Sequence, residues 1–216
     1  MLHLPIYMYA ELGALVTSLL TYRALKGTAF RLFPFFLFFI VAVELAGDYT
    51  GRVLHYNNAW LYNISTTLEF IFYAFIFSRT LRHPAYKKIT LGFMAVFPML
   101  VLLNMFFIQG LTEFHSYTNA LGSILMVFFC CLFFYELLLN PLEGELHKVP
   151  MFWVSTGILF FYLGDLSFDL LYNLLKNDAM GRDLFKSINN NLILILYSCF
   201  IIAFLCQRSL VKSLSH

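Results

Sequence analysis

The run Leu32-Phe33-Pro34-Phe35-Phe36-Leu37-Phe38-Phe39-Ile40-Val41-Ala42-Val43-Glu44-Leu45-Ala46-Gly47-Asp48 decides the architecture, because no charge interrupts it before Glu44. As a helix it is long enough to cross a hydrocarbon core of about 30 Å. Six further runs have the same character, so that apolar segments are expected near 4–22, 32–48, 59–79, 89–109, 118–140, 151–175 and 190–207. The chain is 61% hydrophobic and only 12% charged, where a soluble domain carries about 25% charged residues. The fold class predicted is therefore an all-α membrane protein, a seven-transmembrane-helix bundle. Its connections are mostly about ten residues, which leaves no soluble domain of folding size. Any kinase, nuclease or DNA-reading output must then belong to another chain.

Working outward from Glu44, the charges are sorted by sign. Of twelve carboxylates, Glu11, Glu44, Glu69, Glu136, Asp165 and Asp169 fall inside apolar runs, while all fourteen Lys and Arg lie in connections or in the C-terminal tail. An ionisable group near the bilayer centre costs at least ~2.5–3.5 kcal/mol and normally faces a bundle interior or a wet cavity. Without a basic partner in the membrane, these carboxyls must be protonated, hydrogen-bonded to neutral groups, or matched by a cation that is not part of the chain.

The basic residues set the orientation. With the N-terminus outside, the inner side collects Arg23, Lys26, Arg31, Arg79, Arg82, Lys87, Lys88, Lys148, Arg208 and Lys212, against Arg52, Lys176, Arg182 and Lys186 outside. Ten against four in short loops follows the positive-inside rule, giving N-out, C-in in the cell (inner or plasma) membrane. The first run starts almost at Met1 with no basic n-region and no small-residue cleavage site, so it reads as a retained helix and not a signal peptide. Cys130, Cys131, Cys199 and Cys206 all fall in the fifth and seventh runs and are expected as free thiols packing as small apolar residues. The net charge of +2 gives no reason to expect nucleic acid.

This orientation sorts the polar groups by depth. Glu11 lies in the outer third of the first run, Glu44 and Asp48 near the outer end of the second, and Asn104 late in the outward fourth. Glu69, ten residues into the third run, is about 15 Å down at 1.5 Å per residue. Asn119 opens the fifth run from outside, as Asn189, Asn190 and Asn191 open the seventh. Asp165, Asp169 and Asn173 climb the outer half of the sixth on one face. Asn63, Thr66, Glu69 and Tyr73 form a stripe on the third, and Gly47 and Gly51 flank the carboxylates of the second, where another backbone could approach. Only Glu136 sits toward the inner surface, where it is expected to snorkel to the interface. The expectation is a polar chamber in the outer half, with Glu11, Glu44, Asp48, Asn63, Glu69, Asn104, Asn119, Asp165, Asp169, Asn173, Asn190 and Asn191 as ligand-binding candidates. The competing reading makes the same groups interhelical glue.

A faint parallel repeat pairs the first three runs with the last three around the fourth, a 3+1+3 pattern. Leu12-Gly13 matches Leu121-Gly122, and Gly47-Asp48 matches Gly164-Asp165. Parallel repeats of this kind occur in transporters that bind substrate where the repeats meet.

Several chemistries are tested and set aside. No cofactor is predicted: retinal needs a lysine inside the bundle, and the seventh run has none. A zinc hydrolase would want clustered histidines, but the six are scattered, and His55 and His115 beside Asp48 read as loop histidines, not metal ligands. An intramembrane aspartyl protease would need Gly at the position of Tyr162. The balance falls against an enzyme.

The stretches Trp60-Leu61-Tyr62-Asn63, Trp153-Val154-Ser155-Thr156-Gly157 through Phe161-Tyr162-Leu163-Gly164, and Asn189-Asn190-Asn191 through Cys206 resemble an uncharacterised bacterial family of small seven-helix membrane proteins. Some members of that family are encoded near sensor kinases. The resemblance implies sensing and assigns no site residues. The function expected is thus a ligand-binding or sensory module for a small cationic or polar ligand, acting through a separate cytoplasmic signalling protein. A cation- or proton-coupled transporter is the alternative.

Overall fold

The computed structural model describes residues 5–140, 145–175 and 179–214, with side chains described except at 168–175, 179–183, 185, 186, 213 and 214. Among these residues the protein is all-helical. Its long helices are α1 (Ile6–Leu20), α3 (Phe33–Asp48), α4 (Ala59–Thr80), α5 (Pro84–Phe107), α6 (Ser116–Leu139), α7 (Pro150–Leu175) and α8 (Ala179–Leu214), with a four-residue α2 (Tyr22–Leu25) after α1. Short 3-10 turns cover Ala29–Leu32 and Leu146–Lys148, and a π turn, Tyr49–Val53, extends α3.

Four helical segments are long and apolar enough to cross a membrane: Ala29–Val53, Pro84–Phe107, Ser116–Leu139 and Ser187–Lys212. Large apolar side chains such as Phe35, Phe38, Phe106, Phe107 and Leu138 stand exposed on their outer faces, a surface that suits lipid and not water. α4 is not among the four. It carries Asn63, Ser65, Thr66, Thr67 and Glu69 in close succession, of which Ser65, Thr66 and Glu69 turn to the bundle interior.

Helix ends depart from the hydropathy runs where charge ends the run but not the helix. α5 begins at Pro84, not near 89, because Lys87 and Lys88 lower hydropathy without opposing helix formation. Proline at N1 suits a helix start, since its missing N–H is unsatisfied there in any case. α8 spans 36 residues, far beyond 190–207. Asn189, Asn190 and Asn191 therefore lie about a third of the way along it and do not open it.

The helices close into a ring. α1 packs on α3, α3 on α4, α4 on α6, α6 on α7, α7 on α8, and α8 returns to α1. α5 lies outside, against α4 and α6; only Thr90, Phe93, Phe97 and Asn104 of its residues are buried. The α7–α8 contact is the most extensive, and small residues explain it. Gly157 and Gly164 are seven apart and share a helix face. A Cβ at Gly157 would stand 2.9 Å from Cys199 Cβ, and one at Gly164 would overlap Leu192.

The core is aromatic. Phe33 is fully buried, with ring centroids 5.0 Å from Phe72 and 5.3 Å from Phe200 and from Phe204. Phe36 stacks on Phe72 at 3.9 Å. Tyr73 continues the layer toward Phe200 and Tyr162.

Candidate functional site

All six ring helices contribute to one cavity of about 260 Å³. α1 supplies Glu11; α3 supplies Ile40, Val43 and Glu44; α4 supplies Tyr62, Ser65, Thr66 and Glu69. Asn119 comes from α6, Phe161, Tyr162 and Asp165 from α7, and Asn189, Ile193, Leu196 and Tyr197 from α8, with Phe114 from the preceding loop. Four carboxyl groups on four different helices thus meet in one space, and among the described residues no Lys, Arg or His lines it.

Local helical geometry places them. Tyr62, Ser65, Thr66 and Glu69 follow a 3-, 4- and 7-residue spacing, which is one face of α4. Tyr162 and Asp165 are three apart on α7, and Asn189, Ile193 and Tyr197 are four apart on α8. Asp165 is held by α6: Asn119 Nδ2 donates to its Oδ2 at 3.2 Å and Ser123 Oγ donates to the same oxygen at 2.9 Å. Tyr162 Oη donates to Glu69 Oε1 at 3.3 Å, and the hydroxyls of Tyr7 and Tyr62 reach Glu44. Glu11 differs. Its Oε2 is buried with no hydrogen-bond donor among the described residues, an expensive state for a polar atom unless a donor arrives from outside the chain.

Beneath the cavity lies the aromatic layer. The Tyr162 ring stands 5.2 Å from Phe70, and Tyr197 stands 5.7 Å from Phe200; Phe70, Tyr73 and Phe200 are almost completely buried. The lining goes no deeper than Ile40, Glu69, Tyr162 and Tyr197.

The expected candidates divide. Glu11, Glu44, Glu69, Asn119 and Asp165 line the cavity together. Asp48 does not: on the turn beyond Glu44 it forms an ion pair with Arg52 at 2.6 Å, because the π turn carries the helix past Asp48 and places Arg52 one turn on. Asn63 faces the other way on α4, where it donates to Glu113 O and accepts from His115 N, both at 2.9 Å, pinning the α5–α6 loop. Asn104 donates to Gln109 Oε1 at 2.9 Å and belongs to the same loop system. His115 is buried with its Nε2 2.8 Å from Gly110 O. Asn191 donates to Ser187 O of its own helix, and neither it nor Asn190 lines the cavity, whereas Asn189 does. The side chains of Asp169 and Asn173 lie outside those described. Gly47 and Gly51 admit side chains and not a backbone, Tyr62 and Asn58 respectively.

Glu136 does not snorkel. It is buried, and its two oxygens accept from Arg82 N and His83 N at 2.7 Å each, tying the end of α6 to the start of α5. Sequence reasoning missed the tyrosines Tyr7, Tyr62, Tyr162 and Tyr197. Helical spacing was the available signal for three of them, Tyr7 four before Glu11, Tyr62 seven before Glu69 and Tyr162 three before Asp165, masked by a composition in which aromatic residues are everywhere; Tyr197 has no such carboxyl nearby on its helix to mark it.

No family model, curated protein or solved structure matches the chain. The chemistry of the cavity is therefore what bears on its function.

Proposed function

We propose that this chain is a multi-pass protein of the cell membrane whose carboxylate cavity binds a small organic cation of the amine class. The observation that carries this reading is the meeting of Glu11, Glu44, Glu69 and Asp165 in a space that no Lys, Arg or His among the described residues lines. A bare metal ion fits less well. Among the described residues no three His, Cys, Asp or Glu side chains come close enough to hold one. Carboxylates spread around a cavity suit a larger cation that spans them. Tyr62, Phe161, Tyr162 and Tyr197 also line the cavity, and aromatic rings add cation–π attraction, strongest where water is excluded. The volume, just under the ~300–1,000 Å³ of drug-sized sites, suits a small amine.

In this reading all seven long helices cross the membrane N-out, with α4 and α7 carrying polar groups because they face the cavity. A cysteine introduced at Glu113 should be labelled from outside and one at His83 from the cytoplasm; reversed labelling would overturn the topology. Binding would be passed by helix movement to a separate cytoplasmic partner, the role that the resemblance to proteins encoded near sensor kinases implies.

The test uses purified protein and 2-phenylethylamine, with neutral phenylacetamide as control. The amine should raise the melting temperature, since a ligand at a hundred times its dissociation constant stabilises by about 2.7 kcal/mol. Glu11→Gln and Glu44→Gln should remove that shift. An equal response to phenylacetamide, or none to the amine, would reject the reading.

A transporter is the second reading, and one observation favours it. The ring α1–α3–α4 followed by α6–α7–α8, with α5 outside, is the arrangement expected of a 3+1+3 repeat whose cavity lies between its halves. The buried aromatic layer of Phe70, Tyr73 and Phe200 beneath the cavity stands against a continuous path. Uptake of labelled amine into proteoliposomes down an imposed potential, abolished by Glu69→Gln, would decide for transport.

A further inference from the structure

The end of the bundle remote from the carboxylate cavity holds the opposite chemistry. α4 runs from one to the other: Tyr62 lines the first cavity and Ser78 the second, about 24 Å apart along the helix at 1.5 Å per residue. The second cavity measures about 620 Å³. Lys26 and Arg31 enter it from the turn before α3, Arg79 from the end of α4 and Lys87 from the first turns of α5. Among the described residues no carboxylate lines it, and none of these four cations forms an ion pair.

We propose that this cavity is a binding site for a phosphate group, carried by an anionic lipid or by a soluble phosphate compound. Short loops on one side of a membrane protein are basic as a rule, but that rule scatters charge. Here three separate segments bring four cations to one concavity, while Arg23, Arg82 and Lys88 stay out of it. Four like charges held together repel unless an anion joins them. A planar guanidinium suits bidentate phosphate recognition and an ammonium acts as a point charge; the cavity offers two of each. Phe75 and Leu91 form part of its wall, beside which an acyl chain can lie. Basic pockets between membrane helices take lipid phosphates in this way.

Gly27 gives a clean test. It lines the cavity, yet a Cβ built on it meets nothing within 4 Å. Gly27→Glu should therefore fold normally while placing a carboxylate among the cations, and Gly27→Gln is its uncharged control. Full-length protein in detergent is titrated with dioctanoyl phosphatidic acid, dioctanoyl phosphatidylcholine and inorganic pyrophosphate, with binding read by native mass spectrometry. Phosphatidic acid should bind in preference to phosphatidylcholine. Gly27→Glu, and separately Arg79→Ala, should weaken it about fivefold or more, with the melting temperature of Gly27→Glu unchanged and Gly27→Gln like the parent. Displacement of phosphatidic acid by pyrophosphate would identify the free group as sufficient; resistance to displacement would assign the site to the lipid. Equal binding of phosphatidylcholine with no binding of pyrophosphate, or identical affinities for parent and Gly27→Glu, would overturn the proposal.

Discussion

Replacing Gly47 by alanine should push Tyr62 into the carboxylate cavity. A Cβ at Gly47 would lie 2.5 Å from Tyr62 Oη, 2.9 Å from its Cζ and 3.2 Å from its Cε2. Ordinary contact begins at 3.4 Å, so the hydroxyl must retreat by about 0.9 Å, far up the repulsive wall of a dispersion contact. Parting the helices would break the bond that Asn58 Nδ2 donates to Gly47 O at 2.9 Å, which ties the start of α4 to this point of α3. The ring must move instead, and its hydroxyl is one of the groups reaching Glu44. Overpacking of this kind costs about 1–3 kcal/mol, a fall of roughly 2–4 °C in melting temperature per kcal/mol for a chain of this size. A double-mutant cycle isolates the contact. Tyr62→Ala removes every atom in the way, so Gly47→Ala should cost nothing further in that background; Tyr62→Phe removes only the nearest atom and should rescue in part. Melting curves of the six proteins in one detergent supply the numbers. If the two substitutions add within about 0.5 kcal/mol, Tyr62 is not the obstacle, and α3 does not pack on α4 through this contact.

Glu136→Gln should destabilise by about 1–3 kcal/mol, because an amide can accept from only one of the Arg82 and His83 N–H groups and turns its own donors toward the other; faster hydrogen exchange at those two amides, with a lower melting temperature, is the expected result, and unchanged exchange would refute it. Asp165→Asn should leave apo stability within about 1 kcal/mol, since the amide oxygen can still accept from Asn119 and Ser123, while the response to 2-phenylethylamine disappears. Asp165→Ala should lower stability by up to about 2 kcal/mol; an Asn variant that is unstable yet still responds to the amine would make Asp165 purely structural. On the connection before α7, the hydrogen bond and charge of Lys148 hold the exposed Glu145 carboxyl below the usual carboxylate range. A carboxyl lowered by folding favours the folded state above its unfolded pKa, and that contribution fades as pH falls through the folded value. Lys148→Met should return the Glu145 titration, followed by NMR, toward the ordinary range, and no movement would show that the pair does not form in solution.

How far the site was legible depended on what each residue faced. Glu11, Glu44, Glu69 and Asp165 were visible as carboxyls inside apolar runs, and a charge in such a place has few options other than the interior. Asn119 was visible as an amide near the start of an apolar run. Asp48 and Asn63 stand within one or two turns of cavity residues on their helices but are engaged elsewhere: a residue's position along a helix is set by its number, but its direction also depends on the chain beyond the helix end. The π turn after Asp48 supplied Arg52, and the loop before α6 supplied the backbone groups that claim Asn63. Glu136 reads as an interfacial side chain until the start of α5 is brought over it.

The sequence by itself determined that the chain is helical and apolar, where its runs fall, and that its charges are segregated by sign, because hydropathy and helical spacing are local properties carried by each segment. Only the tertiary structure decided that α5 stands outside a ring of six, that tyrosines complete the carboxylate cavity, and that four cations from three segments share one concavity at the other end. Those outcomes depend on which helix faces which, fixed here by Gly157 and Gly164 letting α8 close on α7, by the bonds of Asp165 to α6, and by aromatic packing around Phe33. No single segment encodes them, since each contact needs the shape of a partner distant in the chain.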